Sequence, residues 1–250
     1  MKVLVCGATG CVGRAVVNAL RSRGHQVVGA SRGSGLRIDF MAPVTPQAWA
    51  ARLGELQVNA VVNCVGLLMP RGGQRFERVH AQGPIELFRG AALAGVARVV
   101  QVSALGAADG DSAYLRSKRQ ADDTLLALPL AATVLRPSLV YGPHCPSAAL
   151  FATLAALPVL TLPGAGRQRL QPIHVYELAE IVARCIERPP RVVPAPPESI
   201  ARRELSTING IRVSITSDDW TVTRSPQSIV AIALGPSSSA KAPLPPADHS

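Results

Sequence analysis

Aromatic residues, charged residues and long apolar runs are all scarce in this sequence. Aromatic residues make up 4% of the 250 residues and charged residues 17%, against about 25% in typical soluble domains. The apolar runs are too short for a transmembrane helix, which excludes a membrane span. No signal-peptide pattern precedes the first predicted strand, so we expect a cytoplasmic protein.

The five cysteines form no C-x-x-C pair. This spacing does not favour a zinc site, and we expect no metal. Cys6 and Cys64 fall in predicted buried strands. We interpret all five cysteines as small core residues in a reducing compartment and not as a disulfide framework.

The net charge of +10 comes mostly from arginine, with only three lysines in the chain. The basic residues are scattered, and no dense basic run is interleaved with aromatics. The composition therefore favours a solvated basic surface over nucleic-acid binding.

Residues 1–32 predict a strand, a glycine-rich turn, a helix and a second strand. Residues 2–6 are an apolar run, typical of a strand that is buried on both faces. Three glycines follow in the pattern G-x-x-G-x-x-G, and these are Gly7, Gly10 and Gly13. Glycine lets the backbone approach a pyrophosphate, and the N–H groups of a helix N-terminus bind it. The stretch favours a dinucleotide site, with an ordinary tight turn as the alternative.

The end of the second predicted strand bears on the choice between NAD and NADP. Ser31 and Arg32 stand where an NAD-preferring fold usually has an acidic residue for the ribose 2′-hydroxyl. A guanidinium beside a hydroxyl suits a 2′-phosphate, so NADP is favoured. The alternative is a solvent-exposed arginine in a turn. Asp39 is a candidate for adenine contact or for a loop cap.

Strands and helices alternate along most of the chain, which predicts an α/β fold with a Rossmann-like, doubly wound parallel sheet. Further strands are predicted at 36–40, 58–65, 98–103 and 133–140, and helices at 45–53, 76–94 with a kink at 83–84, 112–126, 147–157 and 176–187.

Three residues are candidates for catalysis. Tyr114 and Lys118 are four apart on one predicted helix and therefore share a face. We expect the ammonium group of Lys118 to lower the pKa of Tyr114 and make the phenol a general acid/base. Ser103 ends the fifth predicted strand, where ligands bind in open α/β sheets, and its hydroxyl is a candidate partner for a substrate carbonyl.

Together the motifs resemble the short-chain dehydrogenase/reductase superfamily, on its extended or atypical side, which is NAD-dependent epimerase/dehydratase-like. Within that group the sequence is similar to bacterial relatives of the nucleotide-binding accessory subunit of respiratory complex I. The resemblance covers residues 1–188. It is carried by residues 7–13 (GATGCVG), Asp39, 63–66 (NCVG), 102–104 (VSA), 114–118 (YLRSK), 135–143 (LRPSLVYGP), 164–166 (GAG) and 172–175 (PIHV).

The resemblance implies a domain that binds NADP, or NAD, and a hydride-transfer reaction. Tyr114 would be the catalytic acid/base, Lys118 would also hold the nicotinamide ribose, and Ser103 would orient the substrate carbonyl. The expected cofactor contacts, from the residues and the resemblance together, are Gly7, Thr9, Gly10, Cys11, Val12, Gly13, Ser31, Arg32, Asp39, Asn63, Cys64, Val65, Gly66, Lys118 and Pro137.

The C-terminal quarter departs from this family pattern, which ends in a helical substrate lobe. Residues 189–250 hold ten of the 21 prolines. We predict a Rossmann domain over 1–188, an atypical segment over 189–234 that forms a small or shortened lobe, and a disordered tail over 235–250. Within the segment, 211–223 and 229–234 have the alternation of strands.

Two functions follow from the sequence. The first is an NADP-favouring oxidoreductase that acts on a carbonyl, an alcohol or a sugar-nucleotide-like small molecule. The alternative is a non-catalytic NADP-binding protein with a structural or assembly role, as the complex I resemblance suggests. A homodimer or a larger complex is the expected assembly.

Overall fold

The computed structural model describes most of the chain up to Arg188 and four strands beyond it. The described residues are 1–33, 35–70, 72–146, 153 and 172–188, with strands at 191–193, 212–215, 220–223 and 230–234. Apart from Thr153, the helix predicted at 147–157 lies outside the described residues, as do motif 164–166 and the tail predicted over 235–250.

Six parallel strands form the body of one sheet. They are β1 (Lys2–Cys6), β2 (Gln26–Ser31), β3 (Leu36–Arg37), β4 (Ala60–Asn63), β5 (Arg98–Val102) and β6 (Ala131–Pro137). Their order is β6-β5-β4-β1-β2-β3, and each pairs with its neighbours in parallel. The order reverses between β1 and β4, which opens a crevice at the carboxyl ends of these strands. The predicted Rossmann-like α/β fold is confirmed.

Helices cover both faces of the sheet. They are α1 (Cys11–Ser22), α2 (Pro46–Glu55), α3 (Gly83–Leu93), α4 (Ala113–Ala127) and α5 (Val175–Glu187). One apolar cluster lies under α1 and α5, and a second under α2, α3 and α4. Side chains alternate along β1, so Val3 and Val5 enter the first cluster while Leu4 and Cys6 enter the second. This explains why β1 is apolar at each of its four buried positions, Val3 to Cys6.

The helix predicted at 76–94 changes type where a kink was expected. Residues Glu77–Gln82 are π-helical, and α3 continues from them without a gap. Pro84 explains the change, because its ring has no N–H and would clash with the carbonyl of His80 four residues earlier in an α-helix. A wider π turn relieves the clash with the carbonyl.

The C-terminal strands fall into three places. β7 (Val140–Tyr141) and β8 (Ile173–His174) form a short parallel pair. Three strands form a separate small sheet, namely β9 (Arg191–Val193), β10 (Arg212–Ile215) and β11 (Trp220–Thr223). β12 (Val230–Leu234) pairs antiparallel with β6 and becomes the seventh strand of the main sheet. The stretch predicted to be extended at 211–223 is thus two strands.

A disulfide joins Cys11 and Cys145, whose Cα atoms are 4.9 Å apart. The interpretation of all five cysteines as unpaired is therefore wrong for these two. They are 134 residues apart in sequence, and only the fold brings the start of α1 beside the segment after β7. The free cysteines among the described residues are Cys6 and Cys185, both buried, and Cys64, which is partly buried.

Within the described ranges, no helix is both long and apolar enough to cross a bilayer. The same residues contain no group of three or more His, Cys, Asp or Glu side chains arranged to hold a metal ion.

Candidate cofactor pocket and active site

The glycine-rich turn between β1 and α1 is built for close backbone contact. Gly7 has a φ of +79°, and its carbonyl accepts a hydrogen bond from the Gly10 N–H at 2.9 Å. A Cβ atom on Gly13 would lie 2.0 Å from the Gly7 carbonyl oxygen, so only glycine lets α1 pack this closely. Gly10 is the N-cap of α1 and has no side chain to cap the helix, which leaves first-turn N–H groups for a phosphate.

A pocket of about 150 Å³ opens at the carboxyl ends of β1, β2 and β4. Eight of the expected cofactor residues line it, namely Gly7, Thr9, Gly10, Ser31, Arg32, Cys64, Val65 and Gly66. The other lining residues are Ala30, Ile38, Phe40, Leu67, Gln74 and Val79. Most of these six are direct neighbours of expected residues, whereas Gln74 and Val79 come from a loop and the π-helix that carry no motif. The pocket therefore lies where the sequence placed the dinucleotide.

Seven expected cofactor residues do not line this pocket, namely Cys11, Val12, Gly13, Asp39, Asn63, Lys118 and Pro137. Asp39 is exposed, and its carboxylate accepts a hydrogen bond from the Met41 N–H at 3.0 Å, as the loop-cap alternative expects. Asn63 is fully buried and accepts a hydrogen bond from the Val65 N–H at 3.1 Å. It shapes the turn that lines the pocket.

Arg32 is the one charged residue among the described residues that line the pocket. It is exposed and follows the buried Ser31 at the end of β2. Among the described residues, the pocket wall thus offers a guanidinium and a hydroxyl and contains no carboxylate. This electrostatic setting suits an anionic ligand.

Lys118 is buried in the middle of α4 and ties two strand ends together. Its Nζ donates hydrogen bonds to the carbonyl oxygens of Val102, at 3.2 Å, and Val65, at 3.4 Å. Burial lowers the pKa of the Lys118 ammonium to about 8, although the nearby Asp122 opposes the shift. Lys118 thus positions the turn after β4 against the end of β5.

The expected effect of Lys118 on Tyr114 is contradicted. Burial raises the pKa of the Tyr114 phenol, and the negative charge of Asp122 raises it further. The Lys118 ammonium is directed to backbone carbonyls and not to the phenol. Tyr114 therefore keeps its proton at neutral pH, which suits a proton donor.

Ser103 forms a hydrogen bond with Asp122, a residue that was not among the predicted site residues. Its hydroxyl donates a hydrogen bond to Asp122 Oδ2 at 2.8 Å, and Arg136 Nε donates to the same oxygen at 2.9 Å. Burial raises the pKa of Asp122, while Arg136 opposes the shift. No hydrogen bond links Ser103 to Tyr114 in the part of the chain that the structure describes. Asp122 follows Lys118 by four residues on the same helix face, and that spacing was the signal available in the sequence.

An aromatic wall holds the ring of Tyr114. The ring centroids of Phe76 and His80 lie 5.6 and 5.2 Å from that of Tyr114, both edge to face. Phe76 and His80 stack on each other with centroids 5.4 Å apart. Both residues belong to the helical stretch that contains the π turn, and no motif in that stretch predicts a site.

The parallel doubly wound sheet, with a glycine turn and a pocket at its switch point, defines a dinucleotide-binding protein of the Rossmann type. The family model of the NAD dependent epimerase/dehydratase family matches residues 3–196. The chain belongs to this family, and the expected resemblance is confirmed.

Two curated relatives share sequence with most of this chain. The "Ceramide reductase" of Caulobacter vibrioides is 30% identical over 194 residues, which are 73% of this chain and 60% of that protein. The "NADH dehydrogenase [ubiquinone] 1 alpha subcomplex subunit 9, mitochondrial" of Arabidopsis thaliana is 29% identical over 202 residues, or 73% of this chain and 49% of that protein. The match spans only about half to three fifths of these relatives.

Solved structures share the fold. "MoeE5 in complex with UDP-glucose and NAD" superposes with a TM-score of 0.61 at 23% identity, over 73% of this chain and 71% of that one. The Bordetella bronchiseptica enzyme WbmH in complex with NAD⁺ superposes with a TM-score of 0.58 at 21% identity, over 74% and 72%. These similarities support the fold assignment alone.

Proposed function

We propose that the chain binds a nicotinamide dinucleotide at its glycine turn, with NADP favoured, and acts as an oxidoreductase on a carbonyl or alcohol. The observation that carries this proposal is the pocket at the carboxyl ends of β1, β2 and β4, which combines a close-packed glycine turn with one cationic side chain, Arg32. The substrate classes are a small carbonyl compound or a sugar-nucleotide-like molecule. The curated relative named as a ceramide reductase favours a reductase reaction.

The residues have separate roles in this proposal. A bound nicotinamide dinucleotide supplies the hydride donor or acceptor. The N–H groups of the first turn of α1 bind the pyrophosphate, and Arg32 binds the 2′-phosphate. Tyr114 holds a proton for the substrate oxygen, because burial keeps its phenol protonated.

The roles of Lys118 and Ser103 are narrower. Lys118 fixes the strand ends beside the reaction site and presents a positive charge there. We keep Ser103 as the proposed carbonyl partner, which requires its hydroxyl to leave Asp122 when substrate binds.

The second candidate is a non-catalytic NADP-binding protein with a structural or assembly role. The hydrogen bond between Ser103 and Asp122 favours it, because the hydroxyl is already used within the fold. The relative named as an alpha subcomplex subunit of NADH dehydrogenase also favours it. Under either candidate we propose a cytoplasmic protein that forms a homodimer or joins a larger complex. Its Rossmann domain covers residues 1–188, and β12 adds a strand to the sheet of that domain.

Thermal shift measurements with NADPH, NADP⁺, NADH and NAD⁺ test cofactor binding and its specificity. A ligand that binds only the folded state must raise the melting temperature. We expect a larger shift with the two phosphorylated dinucleotides in the wild type and the loss of that preference in Arg32→Ala. Arg89→Ala is the matched control, because Arg89 is exposed on α3 and does not line the pocket. Equal shifts with all four ligands in the wild type would refute the NADP preference.

A carbonyl panel with NADPH separates the two candidates. Oxidation of NADPH that is lost in Tyr114→Phe, with cofactor binding kept, supports the oxidoreductase. If the wild type binds NADPH tightly and oxidises none with any carbonyl, the non-catalytic role is favoured instead.

A further inference from the structure

His80 lies at the centre of contacts that join the pocket wall to the helix of Tyr114. Its imidazole is almost fully buried, with 1% of its surface exposed. The Leu67 N–H donates a hydrogen bond to His80 Nε2 at 2.8 Å. On the other side of the ring, Nδ1 lies 3.3 Å from Ser117 Oγ. Leu67 lines the cofactor pocket, while Ser117 is on α4 three residues after Tyr114.

The directions of these hydrogen bonds fix the proton on the ring. A backbone N–H can only donate, so Nε2 must present a lone pair to Leu67. The single proton of a neutral imidazole is then on Nδ1 and is donated to Ser117 Oγ. The Ser117 hydroxyl in turn donates to the carbonyl oxygen of Tyr114 at 2.7 Å. The chain of donors therefore runs in one direction, from Leu67 through His80 and Ser117 to the backbone of Tyr114.

The ring faces of His80 make a second connection to the same residue. The planes of His80 and Tyr114 meet at 87°, and Phe76 stacks on His80 at 20°. Backbone and ring of Tyr114 are thus both held by contacts that pass through His80. The π turn required by Pro84 includes His80, and such turns recur at functional sites.

We infer that His80 is a positioning residue, which holds Tyr114 at a fixed place relative to the Leu67 edge of the cofactor pocket. The inference rests on the proposed function. It predicts that the loss of the polar contacts of His80 weakens dinucleotide binding and loosens the packing of the phenol together. A histidine that merely fills space would need neither the tautomer nor both partners.

Two variants separate polar contacts from packing. His80→Phe keeps a ring against Phe76 and Tyr114 but has no acceptor for Leu67 and no donor for Ser117. His80→Gln keeps an amide oxygen that can accept from Leu67. We expect His80→Phe to weaken NADPH binding about tenfold, because the Leu67 edge of the pocket loses its anchor, and His80→Gln to recover most of the affinity. Unchanged affinity in His80→Phe, or equal loss in both variants, overturns the inference.

The titration of Tyr114 gives a readout that does not require cofactor. In a Tyr141→Phe/Tyr176→Phe background, Tyr114 is the only tyrosine, and its ionisation is followed by tyrosinate absorbance. His80→Phe keeps a ring at this place but no longer holds the turn of α4 that carries Tyr114 through Ser117. We therefore expect the phenol to become more accessible to water and its midpoint to move down toward the ordinary value of about 10. If the wild type binds no dinucleotide, the proposed function fails. The titration of Tyr114 needs no cofactor and therefore tests the role of His80 even then. A midpoint that is the same with and without His80→Phe overturns the inference.

The wild-type protein provides the remaining test if His80→Phe does not fold. Nitrogen NMR of histidine-labelled protein at pH 7 should show His80 neutral with its proton on Nδ1. A charged ring, or a proton on Nε2, overturns the inference.

Discussion

At the residue scale, one face of α4 presents Tyr114, Lys118 and Asp122 at intervals of four residues. The sequence identified the first two because their spacing on a helix is a local property. It did not show where the Lys118 ammonium points or that Asp122 binds Ser103 and Arg136, since those partners come from other elements. Local spacing thus predicts which residues of α4 share a face, but not which residues of other elements they contact.

The buried Lys118 makes a specific prediction about pH. Its folded-state pKa of about 8 lies below the ordinary value of 10.5, so between these values the unfolded chain binds more protons than the folded one. Its contribution to stability must therefore rise with pH across that window and stay constant below it. We expect the free energy of unfolding of the wild type, minus that of Lys118→Met, to increase between pH 8 and pH 10.5.

Urea denaturation at half-unit steps from pH 6.5 to 10.5 measures this difference. Burial raises the pKa values of the Cys6 and Cys185 thiols, and Lys118 is not a cause of either shift, so their effects largely cancel in the subtraction. Cys64 is replaced by alanine in both proteins, because Lys118 affects the pKa of its thiol. A difference that is flat or falls with pH would show that Lys118 is not held as the structure describes.

Gly13 offers a test of the glycine turn. Gly13→Ala would place a Cβ against the Gly7 carbonyl, and this backbone atom cannot move away as the end of a flexible side chain could. We expect a loss of about 1–3 kcal/mol in the free energy of unfolding, as for other overpacked sites, together with weaker dinucleotide binding.

Gly54→Ala is the matched control for this change. Gly54 lies in α2 with open space at its Cβ position, so alanine there should be neutral or stabilise by up to about 1 kcal/mol. Equal effects of the two substitutions on chemical denaturation would argue against the packing of α1 on β1 described above.

At the scale of elements, β1, the glycine turn and α1 follow from sequence because the apolar run, the glycines and the helix pattern are contiguous. The π-helix could not be predicted, because either a kink or a wider turn relieves the clash between Pro84 and the His80 carbonyl. The position of β12 in the sheet could not be predicted either, since the pattern of a strand does not specify which strand it pairs with. Pairing with β6 is a tertiary choice.

Hydrogen exchange tests the pairing of β12 with β6. Removal of residues 224–250 should leave β6 as an edge strand and speed amide exchange within residues 133–136, which pair with β12 and carry an N–H group. Exchange in β1, which is central to the sheet, serves as the internal control. Unchanged protection of β6 after truncation would contradict the seven-stranded sheet.

At the scale of the whole molecule, the disulfide between Cys11 and Cys145 connects the glycine turn to the segment after β7. A crosslink between residues 134 apart lowers the conformational entropy of the unfolded chain, which by the chain-entropy relation stabilises the folded state by about 5 kcal/mol. In protein equilibrated with oxidised glutathione and unfolded without reductant, we expect three reactive thiols out of five cysteines. The linked peptide should be visible by mass spectrometry, whereas five reactive thiols would rule out the crosslink.

The family assignment also belongs to this scale. The fold and the match over residues 3–196 establish a member of the NAD dependent epimerase/dehydratase family. They do not select a reaction, because folds of this kind host many chemistries and function depends on the site. The proposed choice of ligand depends on Arg32 and the glycine turn, so an experiment on dinucleotide binding tests it directly.

The proposed dinucleotide site and its preference for NADP can be tested by calorimetry. The wild type is titrated with NADP⁺ and with NAD⁺ in the same buffer and salt. We expect binding at one site per chain, with NADP⁺ bound about tenfold or more tightly than NAD⁺ because Arg32 pairs with the 2′-phosphate. Absence of heat with both dinucleotides, or tighter binding of NAD⁺, would contradict it.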